Sequence, residues 1–84
     1  MATAPLPPIR RDARQRQIEH ELDLVQGAIA LVTRGDARRV SLVVHNGTAI
    51  LPVAQAEGRR RGVIVRAAWH SGRADCDLIV EPIG

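Results

Sequence analysis

Three short segments of the chain alternate between apolar and mixed side chains, and this pattern restricts the fold more than any other feature. The segments are residues 39–45, 63–69 and 75–81, and each is typical of a β-strand. In every segment one set of alternate residues is wholly apolar, whereas the other set includes polar or charged side chains. Sheets that are packed on both faces have continuous apolar strands, so this alternation predicts a sheet that is covered on one face only.

The first of two predicted helices spans residues 12–34. Apolar side chains recur there at intervals of three and four, which is the period of one helix face, and Gly35 follows as a C-terminal cap. Leu24 and Leu31 lie outside this stripe, about 120–140° around the helix from its centre. We therefore expect that the sheet does not cover these two leucines and that they form part of an interface.

Residues 48–61 allow two interpretations. Asn46-Gly47 is a strong hairpin signal, so the segment could return as a strand. A helix is favoured, with Thr48 as its N-cap, because Pro52 is tolerated in the first helical turn and disrupts a strand. Gly62 would then end this helix as a second C-terminal cap.

The resulting element order is α-β-α-β-β, which predicts an α/β fold of the α+β two-layer sandwich type. A crossover through the second helix would leave the first two strands parallel, and a tight turn at residues 70–74 would make the third antiparallel. We expect a mixed three-stranded sheet in the order 1-2-3, with both helices on one face. Residues 1–11, rich in proline and arginine, are predicted to be a flexible arm before one domain at residues 12–84.

The positive charge of the chain is concentrated near its beginning. Four arginines and one aspartate within residues 10–16 sum to +3, which equals the net charge of the whole chain. A second cluster of arginines ends the second helix. Together these are the candidate phosphate contacts of a nucleic-acid-binding accessory protein: Arg10, Arg11, Arg14, Arg16, Arg59, Arg60 and Arg61. Phe and Tyr are absent and Trp69 is predicted to point inward, so no platform for base stacking is expected.

The uncovered face of the sheet is a candidate partner surface. In the predicted strand order, Val43, Ile64 and Ile79 form an apolar row across three strands, with Arg66 at its rim. An apolar centre with a charged rim is typical of a protein interface. The same residues also fit an ordinary solvated sheet face, in which Arg66 pairs with an acidic residue of the next strand.

The ends of the first two strands form a candidate site for an anion or small ligand. Each strand is followed by a His-polar-Gly sequence, and ligands often bind where parallel strands end. The candidate residues are His45, Asn46, Gly47, Thr48, His70 and Arg73. Ordinary turn chemistry explains the same residues.

Catalytic, metal-binding and cofactor-binding signatures are absent from the sequence, so we expect the protein not to be an enzyme and to need no cofactor. A metal set of His45, His70, Asp75 and Cys76 is not expected, because Cys76 falls on the apolar side of its strand. A single cysteine and the lack of a recognisable signal peptide or transmembrane segment favour a cytoplasmic protein.

The leading hypothesis is a non-enzymatic protein-interaction module, a small subunit or adaptor that forms a homodimer or docks on a larger protein. A chain of this length buries a smaller share of its surface on folding than a larger domain does and has a thin margin of stability, so association would stabilise it. The residues expected to form the interaction surface are Leu24, Leu31, Val43, Ile64, Arg66 and Ile79.

Overall fold

The computed structural model describes residues 10–70 and 75–83, with side chains from residue 13 onward. The predicted element order α-β-α-β-β is confirmed. Each boundary lies within two residues of its predicted position, which is the usual precision of such limits. The elements are α1 (Arg10–Thr33), β1 (Val40–Val44), α2 (Gly47–Arg61), β2 (Val63–Trp69) and β3 (Cys76–Pro82).

The three strands form one antiparallel sheet in the order β1-β3-β2. The predicted order 1-2-3 and the predicted mixed sheet are therefore wrong, because β3 pairs with both of the other strands. β1 and β2 do run in the same direction, as the crossover through α2 requires, but they are not neighbours. β3 follows β2 in the chain and lies between β1 and β2. It pairs antiparallel with both, so the sheet has only antiparallel strand pairs.

One hydrophobic core joins the two helices to a single face of this sheet. α1 and α2 both contribute side chains to it, and all three strands contribute the alternate residues that the sequence pattern marks as apolar. β3 is the central strand, and its inward side chains at Cys76, Leu78 and Val80 are fully buried. The buried core residues are Val25, Ala28, Ile29, Val32, Val44, Ile50, Ala54, Val63, Val65, Cys76, Leu78 and Val80.

Both predicted glycine caps adopt the left-handed conformation that favours glycine. Gly35 has φ 82° and Gly62 has φ 78°. The N-cap of α2 is Asn46 rather than the predicted Thr48, because the main-chain oxygen of Asn46 accepts the first helical hydrogen bonds. As a consequence, Pro52 lies in the second turn of α2 and not in its first.

α1 begins two residues earlier than predicted, at Arg10, so the arginines at positions 10, 11, 14 and 16 all belong to a helix. Residues 1–9 of the predicted arm lie outside the described residues. The side chains of residues 13–17 are all exposed, which places this end of α1 beyond the core. Neither of the two described helices has the length and apolar character needed to cross a membrane.

Candidate functional site

A groove of about 590 Å³ lies between the outer side of α1 and the edge strand β1. We call it the flank groove. Its walls are mostly apolar, and its two charged residues are Asp23 and Arg34. The residues that line it are Asp23, Leu24, Gly27, Ala28, Ala30, Leu31, Arg34, Val40 and Leu42.

Leu24 and Leu31 remain largely uncovered beside this groove. Leu24 is 49% exposed and Leu31 is 38% exposed, as expected from their position off the main apolar stripe. α2 contributes no residue to the lining of the groove, and its contacts with the sheet are to β2 and β3. Gly27 lies between the leucines and is exposed, and an added Cβ there would meet no atom within 4 Å. This side of α1 can therefore be approached closely by another helix.

Opposite charges mark the two ends of the flank groove. Asp23 lies near the middle of α1, at one end of the groove, and Arg34 follows the last residue of α1 at the other end, about 16 Å away along the helix axis. Arg34 pairs through its Nε with Asp36 at 3.2 Å, which leaves the terminal nitrogens of the guanidinium group for a further partner. The groove therefore has Asp23 at one end and the Arg34–Asp36 ion pair at the other.

The two edges of the sheet differ in how they are protected. At the β2 edge, Nε2 of Gln55 donates a hydrogen bond to the main-chain oxygen of Val65 at 3.4 Å. In the part of the chain that the structure describes, we find no comparable side-chain hydrogen bond to the main chain of Val40–Val44. An unprotected edge strand is a template for pairing with another strand.

Glu21 positions the junction between β1 and α2, and the sequence analysis did not identify it. Its side chain is only 4% exposed, and its carboxylate accepts hydrogen bonds from the main-chain N–H groups of His45 at 2.7 Å and Asn46 at 3.1 Å. The side-chain amide of Asn46 donates a third bond at 3.1 Å. A sequence signal existed, because Glu21 lies three residues after Ile18 and four before Val25 on the apolar stripe of α1.

The uncovered sheet face does not contain the predicted apolar row. The strand order places each apolar residue opposite a charged one: Val43 with Asp77, Ile79 with Arg66 and Ile64 with Glu81. The three apolar residues are therefore only diagonal neighbours, and Arg66 forms an ion pair across the sheet with Glu81. This mixture resembles a solvated antiparallel face more than an interface centre.

Trp69 lies on the core side of β2, as predicted, but it is 48% exposed. It pairs with Cys76 at the end of the sheet where β2 finishes. The indole ring is therefore not enclosed by the core, which corrects the expectation that no aromatic surface is available.

The predicted ligand residues at the strand ends are engaged with acidic neighbours. The Nδ1 of His45 lies 3.4 Å from Asp75, and the Nε2 of His70 lies 3.4 Å from Asp77. Asn46 is buried against Glu21, Gly47 begins α2 and Thr48 is exposed, whereas Arg73 lies outside the described residues. The carboxylates of Asp75, Asp77 and Glu21 at this end of the sheet oppose the binding of an anion.

Cys76 is buried, as predicted, and is a poor nucleophile. Burial is the main cause that raises the pKa of its thiol, and the negative charges of Asp77, Glu21 and Asp75 raise that pKa further. Among the described residues, no group of three or more His, Cys, Asp and Glu side chains is placed to hold a metal ion.

The arginine cluster at the end of α2 is partly neutralised within the chain. Arg60 lies 3.2 Å and Arg61 3.0 Å from the carboxylate of Glu57. Arg59 lines a smaller groove of about 230 Å³ beside β2. Arg14 and Arg16 are exposed on the projecting part of α1, and the side chains of Arg10 and Arg11 are outside the description. The described arginines of this set thus belong to two different helix ends, the start of α1 and the end of α2.

No protein-family model, no curated protein and no solved structure matches the chain.

Proposed function

We propose that this protein is a small, non-enzymatic interaction module that binds a second copy of itself through the flank groove. Leu24 and Leu31 carry this proposal, because both are large apolar side chains that stay exposed beside an apolar groove. Contiguous apolar surface on a small protein is typical of an interaction site. Burial of these side chains against a partner supplies the favourable free energy.

A second copy suits this surface better than an unrelated partner does. In a two-fold dimer the same patch is used twice, so each residue of α1 meets another part of the same helix. An antiparallel arrangement places Leu24 of one copy beside Leu31 of the other, with the exposed Gly27 at the crossing. A glycine at that point allows a short distance between the helix axes.

The uncovered sheet face and the arginines support the other hypotheses less well. The sheet face pairs its apolar residues with charged ones across the strands. Nucleic-acid binding would draw on Arg60 and Arg61, which already pair with Glu57. Docking on a larger protein would use the flank groove itself, and it predicts a monomer in the absence of that protein.

The oligomeric state in solution tests the proposal. We expect the wild-type protein to sediment as a dimer at high micromolar concentration. The double substitution Leu24→Glu with Leu31→Glu should raise the dimer dissociation constant at least about a thousandfold, because four leucines lose their buried environment and acquire charges. The matched control is Val53→Glu with Ile83→Glu, which alters two residues that are 51% and 60% exposed elsewhere.

Circular dichroism shows whether each variant remains folded. If the glutamate variant unfolds, Leu24→Gln with Leu31→Gln takes its place with the same expected direction. A wild-type protein that stays monomeric at high micromolar concentration contradicts the proposal. So does a folded double variant whose mass in solution equals that of the wild type.

A gel-shift titration with duplex DNA and with RNA tests the alternative of a nucleic-acid-binding accessory protein. We expect no shift at low salt. A shift that weakens steeply as salt rises, and that is reduced by Arg59→Gln with Arg60→Gln and Arg61→Gln, would favour nucleic-acid binding instead.

A further inference from the structure

We infer, on the basis of the self-association proposed above, that the two copies join edge to edge. In this arrangement β1 pairs antiparallel with β1 of the second copy, and the two sheets continue as one six-stranded antiparallel sheet. The two α1 helices then lie side by side above the new strand pair. The occupant of the flank groove is the α1–β1 flank of the second copy.

The unequal protection of the sheet edges favours β1 as the joining strand. Gln55 donates a hydrogen bond to the main chain at the β2 edge, whereas we find no such bond from a described side chain to Val40–Val44. β1 also forms one wall of the flank groove through Val40 and Leu42. The exposed leucines of α1 and the open strand edge are therefore parts of one continuous surface.

The side-chain pattern of β1 suits pairing with itself. Residues Val40, Leu42 and Val44 face the helices, and Ser41 and Val43 face the uncovered side. An antiparallel pair centred on Leu42 aligns apolar residues with apolar residues on the helix side. On the other side it places Ser41 opposite Val43 of the second copy, so both faces of the extended sheet keep their character.

The spacing of the layers is compatible with a single two-fold axis. Neighbouring strands are about 4.8 Å apart, so an axis that relates β1 to its copy passes about 2.4 Å outside β1. α1 contacts both β1 and β3, and a helix axis midway between these two strands would lie about 2.4 Å inside β1. The two helices then lie about 10 Å apart, close to the 8–10 Å of packed helices.

The antiparallel arrangement brings Asp23 of one copy near the Arg34–Asp36 ion pair of the other, where the terminal nitrogens of Arg34 can donate to a second carboxylate. When Leu24 lies beside Leu31 of the second copy, Asp23 is within about 3 Å along the helix axis of the level of Arg34 of that copy. The pair occurs twice because of the two-fold symmetry. A parallel arrangement of the helices would instead place like charges together.

Cysteine cross-linking tests the edge-to-edge arrangement. Ser41 and Val43 are exposed, so both can be replaced by cysteine in one variant, while the native Cys76 is buried. Residues that face each other in an antiparallel pair have Cα atoms about 4.5–5.5 Å apart, which is a distance that a disulfide spans. The double variant Ser41→Cys with Val43→Cys therefore forms an intermolecular disulfide if β1 pairs with β1.

The single variants report the register of the pair. A pair centred on Leu42 cross-links the double variant and neither single variant. If the pair is instead centred on Ser41 or on Val43, that residue faces its own copy, and its single cysteine variant cross-links. The control is the double variant Ile64→Cys with Ala68→Cys, which places two cysteines on the exposed side of the β2 edge.

Edge pairing predicts a disulfide-linked dimer of the double variant, in a yield at least about tenfold above the β2 control. A wild-type dimer whose Ser41/Val43 cysteines do not cross-link overturns edge pairing and leaves self-association through α1 intact. Equal cross-linking of the β1 and β2 variants also overturns it, because the pairing would then not select an edge. A wild-type monomer at high micromolar concentration overturns both proposals.

Discussion

Asn46 donates two hydrogen bonds to the buried carboxylate of Glu21, one from its main-chain N–H and one from its side-chain amide, both at 3.1 Å. The N–H of His45 donates a third bond at 2.7 Å. One side chain of α1 therefore holds the point where β1 ends and α2 begins. This contact ties α1 to the end of β1, the strand that forms one wall of the flank groove.

We expect Glu21→Ala to lower the free energy of unfolding by about 2–4 kcal/mol, because it leaves buried N–H donors without an acceptor. Urea denaturation measures the change. Glu19→Ala is the matched control: Glu19 is exposed on the same helix, and its loss should cost less than about 0.5 kcal/mol. Equal effects of the two substitutions would show that the buried carboxylate has no special part in stability.

Gly58 is required by the close approach of α2 to β2. An added Cβ would lie 2.9 Å from Cγ2 of Val65 and 3.1 Å from the main-chain oxygen of Val63. Alanine normally stabilises a helix interior relative to glycine by about 1 kcal/mol, but here we expect Gly58→Ala to destabilise the protein by about 1–3 kcal/mol.

Gly27→Ala is the control for the effect at Gly58, since an added Cβ at Gly27 meets nothing within 4 Å in α1. In dilute protein, where a dimer dissociates, we expect Gly27→Ala to raise the free energy of unfolding by up to about 1 kcal/mol. Opposite signs for the two glycines are the predicted result. A stabilising Gly58→Ala would mean that α2 and β2 lie further apart than described.

We expect the free energy of unfolding to fall in alkaline solution because the thiol of Cys76 is buried. Burial, with the charges of Asp77, Glu21 and Asp75, raises its pKa in the folded state above that of an unfolded cysteine. Below the ordinary pKa of about 8.5 the thiol is protonated in both the folded and the unfolded protein, and stability is at its full value. As pH rises from there toward the raised pKa of the folded state, the unfolded protein loses the thiol proton first, so the free energy of unfolding falls. The chain has no Lys and no Tyr, so few other side chains titrate in this range.

Urea denaturation at pH 7.5 and pH 9.5 should therefore show a larger loss of stability for the wild type than for Cys76→Ala. Thiol labelling gives a second measurement, and the native protein should react far more slowly than the protein in urea. Equal pH dependence of the wild type and the variant would contradict the predicted shift.

Away from the β1 edge, the uncovered sheet face should be dispensable for self-association. Ile64 is 43% exposed and lies opposite Glu81 of β3. We expect Ile64→Thr to leave the mass in solution unchanged and to alter the free energy of unfolding by less than about 1 kcal/mol, because threonine suits an exposed strand. A monomeric Ile64→Thr variant would move the interface from the flank groove to this face.

The sequence by itself determined the elements and the faces they bury. The helical period of α1, the alternation along the three strands and the glycines at positions 35 and 62 are local signals, because each depends on residues a few positions apart. The same reasoning placed Leu24 and Leu31 off the main stripe, and their exposure agrees with that position.

Only the tertiary structure decided which strands are neighbours, and with that the character of every surface. A crossover through α2 is compatible with β1 and β2 side by side or with a strand between them, and no local pattern distinguishes these cases. Insertion of β3 replaced the predicted apolar row by apolar–charged pairs and left β1 at an edge beside the flank groove. The buried Glu21 follows the same rule, since its partners lie 24 and 25 residues away and become neighbours only in the folded chain.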